Sequence, residues 1–171
     1  MDLATYIRDI PDFPVKGVLF RDITTLLKHP AAFREAIERM AEHYRGWEID
    51  LVAAVESRGY IFGAPLAAQL GAGFVPVRKM GKLPAQKINI SYSLEYGTET
   101  LEMHVDAVSP GSRVLVVDDL IATGGSARAT ASLVEALGGK VIGMAFLIEL
   151  LFLGGREKIK EYEVFSLIQY E

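Results

Sequence analysis

Apolar positions along the 171 residues fall into two patterns. In "HPAAFREAIERMAEHYRG" (29–46), Phe33, Ile37, Met40, Ala41 and Tyr44 share one helical stripe, with Pro30 in the first turn, where its missing N–H costs nothing. Elsewhere they gather in short blocks: "LVAAV" at 51–55, "FVPVR" at 74–78 and "RVLVV" at 113–117. Such blocks suit strands covered on both faces. Helical stretches stand between them, at 60–70 before Gly71 and from Ser126 to Leu137 before Gly138 and Gly139. Residues 79–94 read as irregular and polar, and "SLEYGTETLEMHV" (93–105) as a hairpin around Gly97. The segment "KVIGMAFLIEL", a short helical piece at 155–162 and a strand over 163–170 complete the chain. The alternation predicts an α/β fold: a central, mostly parallel twisted sheet flanked by helices, with ligands beyond the strand C-termini. No repeat or linker interrupts it, so residues 1–171 read as one domain.

Composition narrows the function. Half the residues are hydrophobic and the formal charge is −4, which argues against nonspecific nucleic-acid binding. Any anion must therefore be met by local groups. No apolar run approaches the roughly 18 residues of a membrane span. The opening "MDLATYIRDIPDFP" carries acids and no cationic export pattern, so a cytoplasmic protein is expected. Cysteine is absent, which removes disulfides and thiolate metal sites. His29, His43 and His104 have no metal-ligand spacing and read as surface or packing residues.

The chemistry gathers in "VLVVDDLIATGGS" (114–126): strand, two aspartates, small flexible residues, then a helix. A helix start leaves backbone N–H groups unpaired and carries about half a positive charge. Gly124 and Gly125 let an anion approach the backbone, and Thr123 and Ser126 add hydroxyls, which makes Ala122–Ser126 a phosphate cradle. Neither the nucleoside-triphosphate loop nor the dinucleotide fingerprint fits these residues. Asp118 and Asp119 should face vicinal hydroxyls and the positive charge that develops on a sugar ring. Taken alone, the pair could equally be a cap and a turn. "AVESRGY" (54–60) repeats the logic, with Ser57, Gly59 and the planar fork of Arg58 suited to a second anion. A lone Arg58 could instead pair with Glu56. Between 78 and 94 stand Arg78, Lys79, Lys82 and Lys87 without an acid, which reads as a flexible basic lid able to exclude water.

At these residues the sequence resembles the type I phosphoribosyltransferases. "IPDFPVKGVLFRDIT", "ESRGYIFG", "RKMGKLP", "YSLEYG", "VDDLIATGG", "LIELLFLGGREKI" and "FSLIQYE" extend the resemblance along nearly the whole chain, to the adenine-using branch of that family. It implies the type I phosphoribosyltransferase-like fold, with a small N-terminal hood over 1–30 that binds the base and a hairpin lid over about 79–100. It implies that Asp118 and Asp119 hold the ribose of 5-phosphoribosyl-1-pyrophosphate and that Ala122, Thr123, Gly124, Gly125 and Ser126 hold its 5′-phosphate. Ser57, Arg58, Gly59, Arg78, Lys79 and Lys82 match pyrophosphate-binding positions, and Arg78 also matches a residue that reaches the neighbouring subunit's site. In the family the Ser57 loop often contains a non-proline cis peptide. Leu19, Phe20 and Arg21 match adenine-contacting positions, acting mainly through their backbone. Glu95 and Tyr96 match the catalytic lid pair, although on pattern alone Glu95 would be an ordinary hairpin residue. Magnesium carried by the donor, rather than held by protein side chains alone, and a homodimer are the cofactor and partner implied. Three rivals stay open on sequence: a 6-oxopurine enzyme, a sensor of the sugar donor, and, weakly, a phosphatase using Asp118.

Overall fold

The computed structural model describes residues 1–94 and 96–171. Two strands, β1 (Arg8–Pro11) and β2 (Leu19–Asp22), form a separate antiparallel hairpin ahead of the main sheet. There follow α1 (Thr24–Leu27), α2 (Pro30–Tyr44), β3 (Leu51–Val55), α3 (Arg58–Leu70) and β4 (Gly73–Lys79). Next come β5 (Lys87–Ser93), β6 (Thr98–His104), β7 (Arg113–Ile121), α4 (Gly125–Ala136), β8 (Lys140–Leu150) and β9 (Val164–Tyr170). The seven-stranded sheet runs β5-β6-β4-β3-β7-β8-β9; β4, β3, β7, β8 and β9 are parallel, and β6 is antiparallel to both of its neighbours.

Alternation along the buried strands divides the core into two layers. Val52, Ala54, Leu115, Val117, Ala145 and Leu147 face Ile37, Met40 and Tyr44 of α2 and Phe62 and Leu66 of α3. Their neighbours Ala53, Val114, Val116, Met144 and Phe146 face Ala131, Leu133 and Val134 of α4. Successive side chains point to opposite faces, so a strand apolar throughout must be covered twice. Small residues set the distance: a Cβ on Gly63 of α3 would lie 2.6 Å from the Ala54 Cβ, so no larger residue lets this helix sit so close to β3.

One stretch departs from the sequence pattern. Residues 87–93, expected to be irregular, form the edge strand β5, paired with β6 from Lys87–His104 to Ser93–Thr98. Its side chains alternate between partly buried and exposed, with Ile88, Ile90 and Tyr92 packed against the α4 layer. Ile88, Ile90 and Tyr92 alternate with Asn89, Ser91 and Ser93, the period-two pattern of a half-covered strand, which the cations and Gly81 just ahead of it mask as loop. The hairpin turn falls where expected, with Leu94 N–H donating to the Gly97 carbonyl (2.9 Å) and Gly97 at φ +95°.

The N-terminal hairpin is tied by Asp22, which accepts from the Thr24 hydroxyl (2.7 Å), the Thr24 N–H (2.9 Å) and Arg8 Nε (2.9 Å). The Thr24 hydroxyl and N–H, with Arg8, lower the Asp22 pKa to about 2. A depressed carboxylate stabilises the fold above its unfolded value, and that contribution disappears as pH falls through the folded one. We therefore expect Asp22→Asn to lower the Tm by roughly 2–6 °C at pH 6. The gap from the wild type should close between pH 4 and 2 in a pH series of thermal melts.

Candidate active site

β3 and β7 lie side by side and parallel, so the loops that follow them meet at one end of the sheet. β7 passes through Asp118 and Asp119 before it ends at Ile121. The chain then turns through Gly124 (φ +86°) into α4, whose N-cap offers no side-chain hydrogen bond. That leaves the first N–H groups of α4 facing outward, as an anion requires. Ala122, Thr123, Gly124, Gly125 and Ser126 line a cavity of about 230 Å³, together with Asp118, Asp119, Arg58 and Tyr92. The glycines are sterically necessary. A Cβ on Gly124 would lie 2.5 Å from the Gly155 carbonyl, and one on Gly125 would lie 2.9 Å from the Tyr92 ring.

The second loop closes against the first. α3 starts at Arg58 with Ser57 as its N-cap, and the Glu56–Ser57 peptide is cis. A Cβ on Gly59 would meet Asp118 Oδ1 at 3.0 Å, so a larger residue there would press on the carboxylate. Arg58 Nε donates to Asp119 Oδ2 (2.6 Å), not to Glu56, and this bond bridges the two loops. The Arg58 side chain remains 56% exposed while that of Asp119 is 9% exposed. Asp118 Oδ1 accepts the Asp119 N–H (2.8 Å). Burial, and then the neighbouring Asp119 charge, push the Asp118 carboxyl well above the usual carboxylate range.

Arg78, Lys79 and Lys82 gather around Glu56. Its carboxylate accepts the Lys79 N–H (2.7 Å) and Arg78 Nη2 (3.2 Å), with Lys82 Nζ at 3.6 Å. Burial works to raise the Glu56 pKa, but the Lys79 N–H and Arg78 outweigh it and hold it below its ordinary value. The buried Glu102 accepts the Gly81 N–H (2.7 Å). The basic segment is thus folded onto two carboxylates rather than loose at this point.

On the other side of Arg58 and Asp119 a second cavity, of about 290 Å³, is lined by Leu19, Phe20, Arg21, Leu120 and Leu150. β2 has β1 along one edge and no strand along the other, which leaves main-chain groups free for hydrogen bonding. The Arg21 guanidinium is engaged by Asp9 (2.5 Å) and lies over the Tyr170 ring (3.7 Å to the centroid). Tyr96 stands in solvent, 88% exposed, and lines neither cavity. Glu95 lies outside the described residues. Tyr92, Leu120 and Leu150 were not legible as site residues. The motifs contained them, but only the packing of β5, β7 and β8 brings them to the cavities.

The matching family model is that of the phosphoribosyl transferase domain, over residues 22–171. An adenine phosphoribosyltransferase of Thermobifida fusca is 60% identical over 162 residues, covering 95% of this chain and 92% of its own length. The chain belongs to the adenine phosphoribosyltransferase family. The crystal structure of the family member from Thermoanaerobacter pseudethanolicus superposes with a TM-score of 0.96 at 55% identity, covering 98% of each chain. That of the Saccharomyces cerevisiae member, complexed with adenine and an imino-altritol bisphosphate, gives 0.91 at 41% identity and covers 96% of each chain. The sheet order and the helices on both faces are accordingly the type I phosphoribosyltransferase fold.

Gly124→Ala would place a methyl group against the Gly155 carbonyl at a positive φ. We expect a stability loss of about 1–3 kcal/mol in denaturant titration. Gly17→Ala, at φ +89° with nothing within 4 Å, serves as the control that carries the φ cost without the clash.

Proposed function

We propose that this chain transfers the 5-phosphoribosyl group of 5-phosphoribosyl-1-pyrophosphate to N9 of adenine, giving adenosine monophosphate and pyrophosphate for purine salvage. The observation that carries this reading is the junction of the two cavities at Arg58, Asp119 and Leu120. One cavity is largely apolar and suits a planar base; the other is rimmed by the α4 N-terminus and suits a sugar phosphate. A nucleotide laid across the junction has its glycosidic bond beside the two aspartates. The yeast relative's pairing of adenine with a bisphosphate supports the same division.

In the proposed reaction the N9–C1 bond forms as the C1–O bond to pyrophosphate breaks. The electron pair leaves with pyrophosphate, and N9 gives up its proton. Ala122–Ser126 hold the 5′-phosphate through backbone N–H groups and hydroxyls. Asp118 and Asp119 bind the ribose hydroxyls and stabilise positive charge on the ring. Arg58, half-exposed, exchanges Asp119 for a pyrophosphate oxygen, while Ser57, Gly59, Arg78, Lys79 and Lys82 complete that subsite. Leu19, Phe20 and Arg21 present backbone groups to adenine, with residues 1–30 acting as the hood. Glu95 takes up the N9 proton, and Tyr96 closes with it when the turn between β5 and β6 folds over the substrates.

Among the described residues no group of three or more Asp, Glu or His could hold a metal ion. Magnesium would arrive on the donor's own oxygens, with the carboxylates of Asp118 and Asp119 beside it. When bound, magnesium offsets charge on the departing pyrophosphate. No described helix is long and apolar enough to cross a membrane. We place the enzyme in the cytoplasm as a homodimer, in which Arg78 reaches toward the neighbouring site.

Purified protein should release pyrophosphate from labelled donor with adenine and not with hypoxanthine, guanine or xanthine. Release with a 6-oxopurine instead would reassign the base, and donor binding without any turnover would make the chain a sensor. Glu95→Gln should lower kcat by about 10²–10⁴ with KM much less changed, as loss of a general base does. An unaltered kcat removes Glu95 from the chemistry.

A further inference from the structure

One buried acid near the site has no part in the reaction above. Glu149, on β8, is 3% exposed, yet four hydrogen bonds converge on its carboxylate. Arg156 grips it with both arms of its fork, Nε to Oε2 at 2.7 Å and Nη2 to Oε1 at 2.8 Å. The Ser166 hydroxyl donates to Oε1 (2.6 Å), and the Gln169 amide adds a longer bond (3.4 Å). Arg156, followed by Ser166 and Gln169, keeps this carboxyl below its ordinary pKa. An apolar side chain could fill the same place but would fix no direction; a bidentate pair fixes both distance and plane.

The segment between the two partners reaches the apolar cavity and the back of the loop that lines the other. Leu150 walls the apolar one. Gly155, next to Arg156, packs its backbone directly against the phosphate cradle. A Cβ on Gly155 would lie 2.6 Å from the Ala122 carbonyl, and the Gly155 carbonyl is what a Cβ on Gly124 would strike. The turn between them, Leu151–Leu153 and Gly154 (φ +63°), is largely exposed and has little packing of its own to hold it.

We propose that the Glu149–Arg156 pair is a positioning device for the transfer reaction. It ties together the two ends of the 150–156 loop and so sets the Gly155 backbone behind the 5′-phosphate cradle and Leu150 beside the base. The inference rests on the function proposed above, since it takes Ala122–Ser126 as the phosphate site. It assigns these two residues no contact with substrate.

The test is calorimetric titration of the full-length protein with ribose 5-phosphate, alongside steady-state kinetics, well below every variant's Tm. Glu149→Gln should weaken ribose 5-phosphate binding about tenfold and raise KM for the sugar donor in parallel, because a small misplacement of a binding loop costs this much or more. Turnover should stay within about threefold. Arg156→Lys keeps the charge without the fork and should fall between. Gly155→Ala leaves the ion pair intact but pushes the loop off the cradle, and should reproduce the weak binding. A purely structural pair would lower the Tm and leave Kd and KM at wild-type values in Glu149→Gln and Arg156→Lys; that result overturns the proposal. So does a loss of kcat alone. If Glu149→Gln does not fold, wild-type Kd in both Arg156→Lys and Gly155→Ala overturns it equally. Failure of the wild type itself to bind ribose 5-phosphate would instead sink the phosphate-site reading, and this inference with it.

Discussion

Leu51 lies against Val114, and Ala54 against Val117, along two parallel strands, and β7 runs on past the end of β3 to Ile121. Because they are adjacent and co-directional, the loops leaving them start within hydrogen-bonding reach of each other. Each runs into a helix, so each presents unpaired N–H groups to the same space. Arg58 bonded to Asp119, and Gly59 pressed against Asp118, are the direct result. Without that adjacency the two loops would stand apart; with it, Arg58 lines both cavities beside Asp119.

Close approach at this junction explains residue choices that otherwise look unrelated. Gly59, Gly124, Gly125 and Gly155 sit where an added Cβ would meet a carboxylate, a carbonyl or a ring at 3.0 Å or less. Backbone packed this closely leaves little freedom, which suits loops that must keep their N–H groups aimed before a ligand arrives. Charge is arranged with similar economy. Asp119 and Glu56 offset part of the charge of Arg58, Arg78 and Lys82, so these cations are held in place rather than left to repel one another.

The acids at the site differ in state because their surroundings differ. Asp118, half-buried beside a second carboxylate, has its pKa raised. Glu56, half-buried too, is held ionised by the Lys79 N–H and Arg78. Glu149 is held ionised by a two-armed arginine and a serine hydroxyl. Burial alone would raise all three, and the donors aimed at each carboxylate decide the outcome.

The sequence alone carried the parallel α/β alternation, because strands buried on both faces must be apolar throughout and helices between them must be striped. It also carried the glycine turn into α4 and the adjacent aspartate pair, whose residues are contiguous and whose conformation is local. It missed β5, although Ile88, Ile90 and Tyr92 alternate with polar residues there, because the cations just ahead read as loop and the edge position is a property of the whole sheet. It could not choose between Glu56 and Asp119 as the partner of Arg58, since that depends on which strand lies beside β3. Nor could it connect Glu149 and Gly155 to a loop some thirty residues earlier in the chain. Local chemistry is written in neighbouring letters, whereas the meeting of distant loops is decided by strand order, which no short stretch of the chain contains.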